Sequence, residues 1–187
     1  MGQSPTLLQI VYAALLIGSY TAFFLYAFPL LPNPAVGTIH IHIGGALTLA
    51  TFASFVLASV ADPGAVTLET STGYMARYPP DGIIFQVNMC RTCQCRKPAR
   101  SKHCPACGRC VPKFDHHCGE VVAGAIGRAI QAPVTLQPPL HPGWVNNCIG
   151  ERNQRWFLLF LALTTALCSY GGWLGSRILQ GEMQLER

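Results

Sequence analysis

Residues 90–118 read CRTCQCRKPARSKHCPACGRCVPKFDHHC, and residues 144–148 read WVNNC. Seven of the nine cysteines lie between Cys90 and Cys118. Zinc takes four Cys or His ligands in a tetrahedron, usually from C-x2-C pairs and more distant partners. The pairs Cys90/Cys93 and Cys104/Cys107, with His103, Cys110, His116, His117, Cys118 and Cys148, supply two closed sites and leave ligands over. So short and loop-rich a segment has little core of its own, so bound metal would supply its folding energy. Cys95 reads as an extra thiol outside the ligand sets.

Outward from this segment the chain is apolar. Of 187 residues, 50% are hydrophobic and 11% charged. Three uncharged runs account for this: Leu7 to Leu31, Thr38 to Ala61 and Trp156 to Ser176. Each is long enough to cross a hydrocarbon core of about 30 Å as a helix. Too little amphipathic sequence remains to cover three buried helices in a soluble protein. The first run lacks the basic leader and cleavage site of a secretory signal and reads as a retained span. Eleven of the thirteen Lys and Arg lie between Asp62 and Arg155, and none lies in the connection from Pro32 to Gly37. By the positive-inside rule the long middle segment faces the cytosol. In that reducing compartment the cysteines point to metal binding or catalysis over disulfides.

The expected fold is an α-helical integral membrane protein: three transmembrane helices and a small cytosolic, zinc-stapled, loop-rich domain. Residues 1–64 form a two-helix transmembrane hairpin ending in Asp62-Pro63-Gly64, where proline stops the helix. Residues 65–89 are a polar linker, 90–155 the cysteine-rich domain, 156–176 the third transmembrane helix and 177–187 a tail. His40 and His42 fit the headgroup end of a span. Cys168 reads as a small packing residue.

Asp115, His116 and Cys118 bring a carboxylate, an imidazole and a thiol within four residues. A thiolate is a strong nucleophile, promoted by a neighbouring imidazole and cationic surroundings. A carboxylate can fix the imidazole and stabilise its cation. Spacing alone leaves a second reading open, in which all three are zinc ligands or their supports.

The sequence resembles the DHHC family of integral-membrane protein S-acyltransferases. The resemblance rests on Asp62-Pro63-Gly64, the run from Cys90 to Asp115-His116-His117-Cys118, Trp144-Val145-Asn146-Asn147-Cys148-Ile149-Gly150, and Asn153 with Phe157. Gly119 and Gly150-Glu151-Arg152-Asn153 look most like plant or algal members. The resemblance implies two structural zinc ions, one on Cys90, Cys93, His103 and Cys110, the other on Cys104, Cys107, His117 and Cys148. It implies that Cys118 is the nucleophile, His116 its base and Asp115 the orienting carboxylate. A long-chain acyl group, as in palmitoyl-CoA, would pass from acyl-CoA to Cys118 and then to a substrate protein's membrane-proximal cysteine. Implied partners are acyl-CoA, substrate proteins, the lipid bilayer and other DHHC proteins, with no nucleic acid. The implied location is an endomembrane such as Golgi or ER, or the plasma membrane.

Two features depart from the family pattern. The family places five residues between the motif cysteine and the last zinc cysteine, whereas 29 separate Cys118 from Cys148. Removing Glu120 to Gly143 restores the expected register, so 120–143 reads as an insertion. Closing a longer loop is cheap, about 0.6 kcal/mol per doubling. Displacing a nucleophile by about 1 Å can cost about a hundredfold in rate. The chain also carries three spans where the family usually has four and then a Thr-Thr-x-Glu motif, which suggests a truncated product. The expected function is therefore protein S-palmitoyltransfer through acyl-Cys118. The alternative is a catalytically impaired, membrane-anchored zinc-binding interaction module.

Overall fold

The computed structural model describes residues 7–118 and 144–186. The expected insertion at 120–143 lies outside the described residues. The chain divides into two compact units, one comprising residues 1–9 and 57–155, the other 10–56 and 156–187.

Among the described residues, three helices are long and apolar enough to cross a membrane: Leu7–Leu30, Ile39–Val60 and Gln154–Leu185. The first is α-helical over Leu7–Ala22 (α1), then widens into a π turn at Phe23–Ala27 and tightens into a 3-10 turn at Phe28–Leu30. Pro29 sits in that last turn. Ile39–Val60 is α2.

Within the helical unit, Tyr12, Phe55 and Phe160 meet with ring centroids 4.6–5.6 Å apart. The Tyr12 hydroxyl lies 3.0 Å from that of Thr164. A second cluster buries Phe28, Val36, Leu174 and Ile178. Asn33 shapes the α1–α2 connection, its Oδ1 accepting from the backbone N–H of Ala35 and Val36, both at 3.0 Å. Its Nδ2 donates to Ile178 O (3.2 Å). His40 Nδ1 lies 2.8 Å from the Tyr170 hydroxyl, and its ring packs on Trp173.

The third long helix runs Gln154–Leu185, past the expected 156–176 and through most of the expected tail. Ile178 explains the extension, because it belongs to the buried cluster with Phe28 and Val36 and holds the chain helical beyond Ser176. At about 1.5 Å per residue, such a helix is longer than the hydrocarbon core is thick. Cys168 is exposed, so it does not pack in the helical core as expected.

The cysteine-rich unit takes in the last turn of α2. The stretch expected as a polar linker contains a helix, α3, at Leu68–Arg77. Its start is a capping box: Thr67 Oγ1 accepts from Thr70 N–H, and Thr70 Oγ1 accepts from Thr67 N–H. Glu69 in the first turn and Arg77 in the last complement the helix dipole. Three two-stranded antiparallel ladders follow. They pair β1 (Asn88–Met89) with β2 (Arg96–Lys97), β3 (Lys102–Cys104) with β4 (Arg109–Val111), and β5 (His116–Cys118) with β6 (Asn147–Ile149).

Little apolar mass holds this unit together. One core cluster is Val66, Tyr74, Cys90, Cys95 and Cys110, and another is Cys104, Val111 and Cys148. Cysteines supply five of these eight buried positions. Two-residue and three-residue strands are too short to be stable alone. The fold therefore depends on whatever joins the sulfurs.

Candidate metal and thiol site

The β3–β4 and β5–β6 registers decide which side chains meet. In an antiparallel ladder, directly opposite residues project to the same face, and neighbours along a strand alternate. His103 pairs with Cys110, and His117 pairs with Cys148. Each ladder thus brings one histidine beside one cysteine, and the C-x2-C turns supply two more sulfurs to each. In both turns the second cysteine's N–H donates to the first cysteine's sulfur at 3.4 Å.

Among the described residues two groups result: Cys90, Cys93, His103 and Cys110, and Cys104, Cys107, His117 and Cys148. Within each, all four ligand atoms lie within 4.8 Å of one another. His103 Nδ1 stands 3.5, 3.2 and 3.8 Å from the sulfurs of Cys90, Cys93 and Cys110. His117 Nδ1 stands 3.3 and 3.4 Å from Cys107 and Cys148. A tetrahedral zinc ion with ordinary bond lengths would separate N and S ligands by about 3.6 Å. Both sets fit such an ion.

The groups of the second set act strongly on one another's protonation. The sulfurs of Cys104 and Cys107 beside it raise His117 to about 9. Hydrogen bonds from Cys107 and Cys148 drive the Cys104 thiol well below its usual range. Cys104 and Cys107, with burial, raise the Cys148 thiol in turn, so the four groups share their protons closely. Cys95 is buried, its Sγ 3.9 Å from Val66 O, and belongs to neither group, as the sequence reading has it.

The other face of β5 differs. His116 and Cys118 flank His117 and project opposite to it. Asp115 Oδ2 lies 3.4 Å from His116 Nδ1, and the Asp115 N–H donates to Ile149 O (3.0 Å). The Cys118 side chain is 4% exposed. Burial raises its thiol pKa, while the backbone N–H groups of Val145 and Trp144 pull it down. Asn147, opposite Cys118, donates through Nδ2 to Ala61 O (2.8 Å) and Ala58 O (3.3 Å) at the end of α2. The structure thus places Asp115, His116 and Cys118 on one short segment, with His116 and Cys118 sharing a face.

Residues outside the expected sets hold this segment. Asn153 is fully buried; its Nδ2 donates to Cys148 O (2.8 Å) and its Oδ1 accepts from Gly150 N–H (2.9 Å). Gly150 packs so closely that a Cβ there would strike Val111 and approach Pro63 O to 2.8 Å. Gly64 adopts φ +98°, and a Cβ would lie 2.9 Å from the Tyr74 hydroxyl. Asp62 faces Arg152 at 3.4 Å and Arg109 at 3.7 Å, and the Arg152 guanidinium stands 5.9 Å over the Tyr74 ring. The sequence marked Asp62-Pro63-Gly64 as a motif that stops a helix and Asn153 as a motif position, neither with a part in holding this segment. Tyr74 carried no signal beyond an aromatic in a polar stretch.

The sequence profile of the DHHC palmitoyltransferase family matches residues 83–129 and 135–186, just over half of the chain. The chain belongs to that family. It is 41% identical over 113 residues to Palmitoyltransferase ZDHHC4 of Bos taurus, covering 60% of this chain and 26% of the relative. It is 38% identical over 119 residues to Palmitoyltransferase swf1 of Schizosaccharomyces pombe, covering 64% and 27%. Palmitoyltransferase SWF1 of Neurospora crassa is 34% identical over 185 residues, covering 97% and 36%. The chain thus spans about a quarter to about a third of the length of these relatives.

Proposed function

We propose that this chain is a protein-cysteine S-acyltransferase of the plant- or algal-like kind, taking a long-chain acyl group such as palmitoyl from acyl-CoA. The observation that carries the reading is the alternation of β5. It turns His117 to the second metal group and leaves His116 and Cys118 together on the opposite face. Cys90, Cys93, His103 and Cys110 would hold one zinc ion, and Cys104, Cys107, His117 and Cys148 the other. Zinc held by four protein ligands at each place would close the fold and leave no position to activate water.

Cys118 gives its proton to His116 and attacks the acyl-CoA thioester carbonyl. The C–S bond to CoA breaks, CoA leaves as the thiol with the proton from His116, and Cys118 carries the acyl group. A cysteine of a substrate protein then gives its proton to His116 and displaces Cys118. Asp115 steadies the imidazolium formed in each half. The site would face the cytosol of an endomembrane or the plasma membrane, where the chain would pair with other family members. The family match breaks only at 130–134, so reading the whole of 120–143 as an insertion rests on the register that its removal restores between Cys118-Gly119 and Trp144-Val145-Asn146-Asn147-Cys148.

One observation favours a second reading. Cys118 is buried and its thiol raised, which suits a membrane-anchored zinc-binding interaction module without turnover. The purified chain, incubated with labelled palmitoyl-CoA and a cysteine-containing acceptor protein, separates the two. The transferase reading expects hydroxylamine-sensitive label on the acceptor, absent with Cys118→Ser. A chain that holds two zinc ions yet transfers no label, even after removal of 120–143, establishes the second.

A further inference from the structure

The strongest patch left unexplained by the metal and thiol chemistry is the loop between α3 and β1. Ile83 is 85% exposed, Ile84 78%, Val87 61% and Met89 58%. Surface loops ordinarily end in polar residues, and contiguous exposed apolar groups mark an interaction site. This loop is also held in shape. The Asp81 carboxylate Oδ1 accepts three backbone hydrogen bonds, from Ile83 and Ile84 at 2.9 Å and Phe85 at 2.8 Å. Gly82, at φ +72°, donates to Phe85 O at 3.2 Å and closes the turn. Behind it, Ala99 N–H bonds to Tyr78 O (3.0 Å), and the β1–β2 ladder fixes the far end. A preset backbone presents the side chains outward without further ordering cost.

We propose that this knuckle, residues 81–89, inserts into the interface of an anionic lipid bilayer. Three observations choose lipid over a polypeptide. The exposed apolar side chains Ile83, Ile84, Val87 and Met89 sit within seven residues of one short stretch, a smaller surface than the roughly 800 Å² per partner that a stable protein–protein interface buries. Basic residues accompany the tip: Arg96 is the cross-strand partner of Met89 and shares its face, Lys97 opposes Asn88, and Arg91 follows two residues on. Apolar groups beside Lys and Arg are the composition of an interfacial anchor on anionic lipid. Finally, this unit contains the last turn of α2 and the first residues of the Gln154–Leu185 helix, both membrane-crossing segments. That covalent tether keeps a bilayer at high effective concentration for any apolar tip on the unit. The inference rests on the membrane spans and is independent of the transferase reading.

Photocrosslinking of the full chain in vesicles tests it. Benzoylphenylalanine at Ile84, and separately at Ile83, is compared with the same group at Glu69 on α3, in phosphatidylcholine with and without phosphatidylserine. Two zinc ions per chain confirm that each variant has folded. Several-fold more phospholipid adduct at Ile83 and Ile84 than at Glu69 is expected. Changing Arg91, Arg96 and Lys97 to Gln should reduce that adduct in the phosphatidylserine vesicles alone. Equal adduct at Ile84 and Glu69 overturns the proposal. So does a dominant polypeptide adduct at Ile84 in native membranes.

Discussion

Gly64 and Gly150 show how little freedom single positions have around the second metal group. Ala at 64 must hold a left-handed backbone and push against the Tyr74 hydroxyl. Such strain costs about 1–3 kcal/mol, so Gly64→Ala should lower the temperature at which the zinc-loaded chain releases its metal. Asn153→Ala removes both partners that satisfy Cys148 O and Gly150 N–H. Each stranded group costs about 1–3 kcal/mol, and zinc content should fall from two ions towards one. A measured content of two would show that Asn153 is dispensable. Asp81 sets a pH dependence. The backbone N–H groups of Phe85, Ile83 and Ile84 hold its carboxyl below the usual carboxylate range. A depressed folded pKa gives stability that is present above the unfolded value and lost as pH falls through the folded one. Amide exchange of Ile83–Phe85, corrected for intrinsic rates, should therefore stay protected at neutral pH and open only in acid below about pH 4. Asp81→Asn should remove that acid step.

At the scale of elements, β5 makes the sharpest division. His116 and His117 are adjacent and chemically identical, yet the ladder register sends them to opposite faces. His117→Ala should cost one zinc ion and destabilise the cysteine-rich unit. His116→Ala should keep two ions and lose acyl transfer. Equal metal loss in both variants would mean that the faces are not separated. The ligand sets were legible in the sequence because zinc needs fixed residue types at short spacings. Their division into two groups came from resemblance, and the cross-strand partners supply its physical reason. Helix α3 escaped the sequence reading because its one buried residue, Tyr74, gives no apolar stripe. Its actual signals were local, the Thr67–Thr70 box and the Glu69 and Arg77 ends. The third long helix overran its expected end for a tertiary reason, the burial of Ile178 against Phe28 and Val36.

Across the whole molecule, the two units draw stability from different sources. The helical unit rests on apolar spans and aromatic contacts such as Tyr12, Phe55 and Phe160. The cysteine-rich unit has short strands and a core made largely of cysteines. Chelating zinc should therefore unfold the second while leaving the spans helical, seen as loss of tertiary signal with most far-ultraviolet helicity retained. Three spans and the metal module were readable from hydropathy and cysteine spacing. The ties that link Asp62-Pro63-Gly64 to Arg152 and Asn147 to α2 join residues about ninety apart in sequence, beyond any local pattern. The central claim, that Cys118 accepts an acyl group, is tested most directly by single-turnover CoA release without an acceptor. With zinc-loaded chain in excess over palmitoyl-CoA, the account predicts a rapid release of CoA matching the acyl-CoA supplied, a thioester mapped to Cys118, and neither with Cys118→Ser. Release unchanged in Cys118→Ser, or no release from a chain holding both zinc ions, would contradict it.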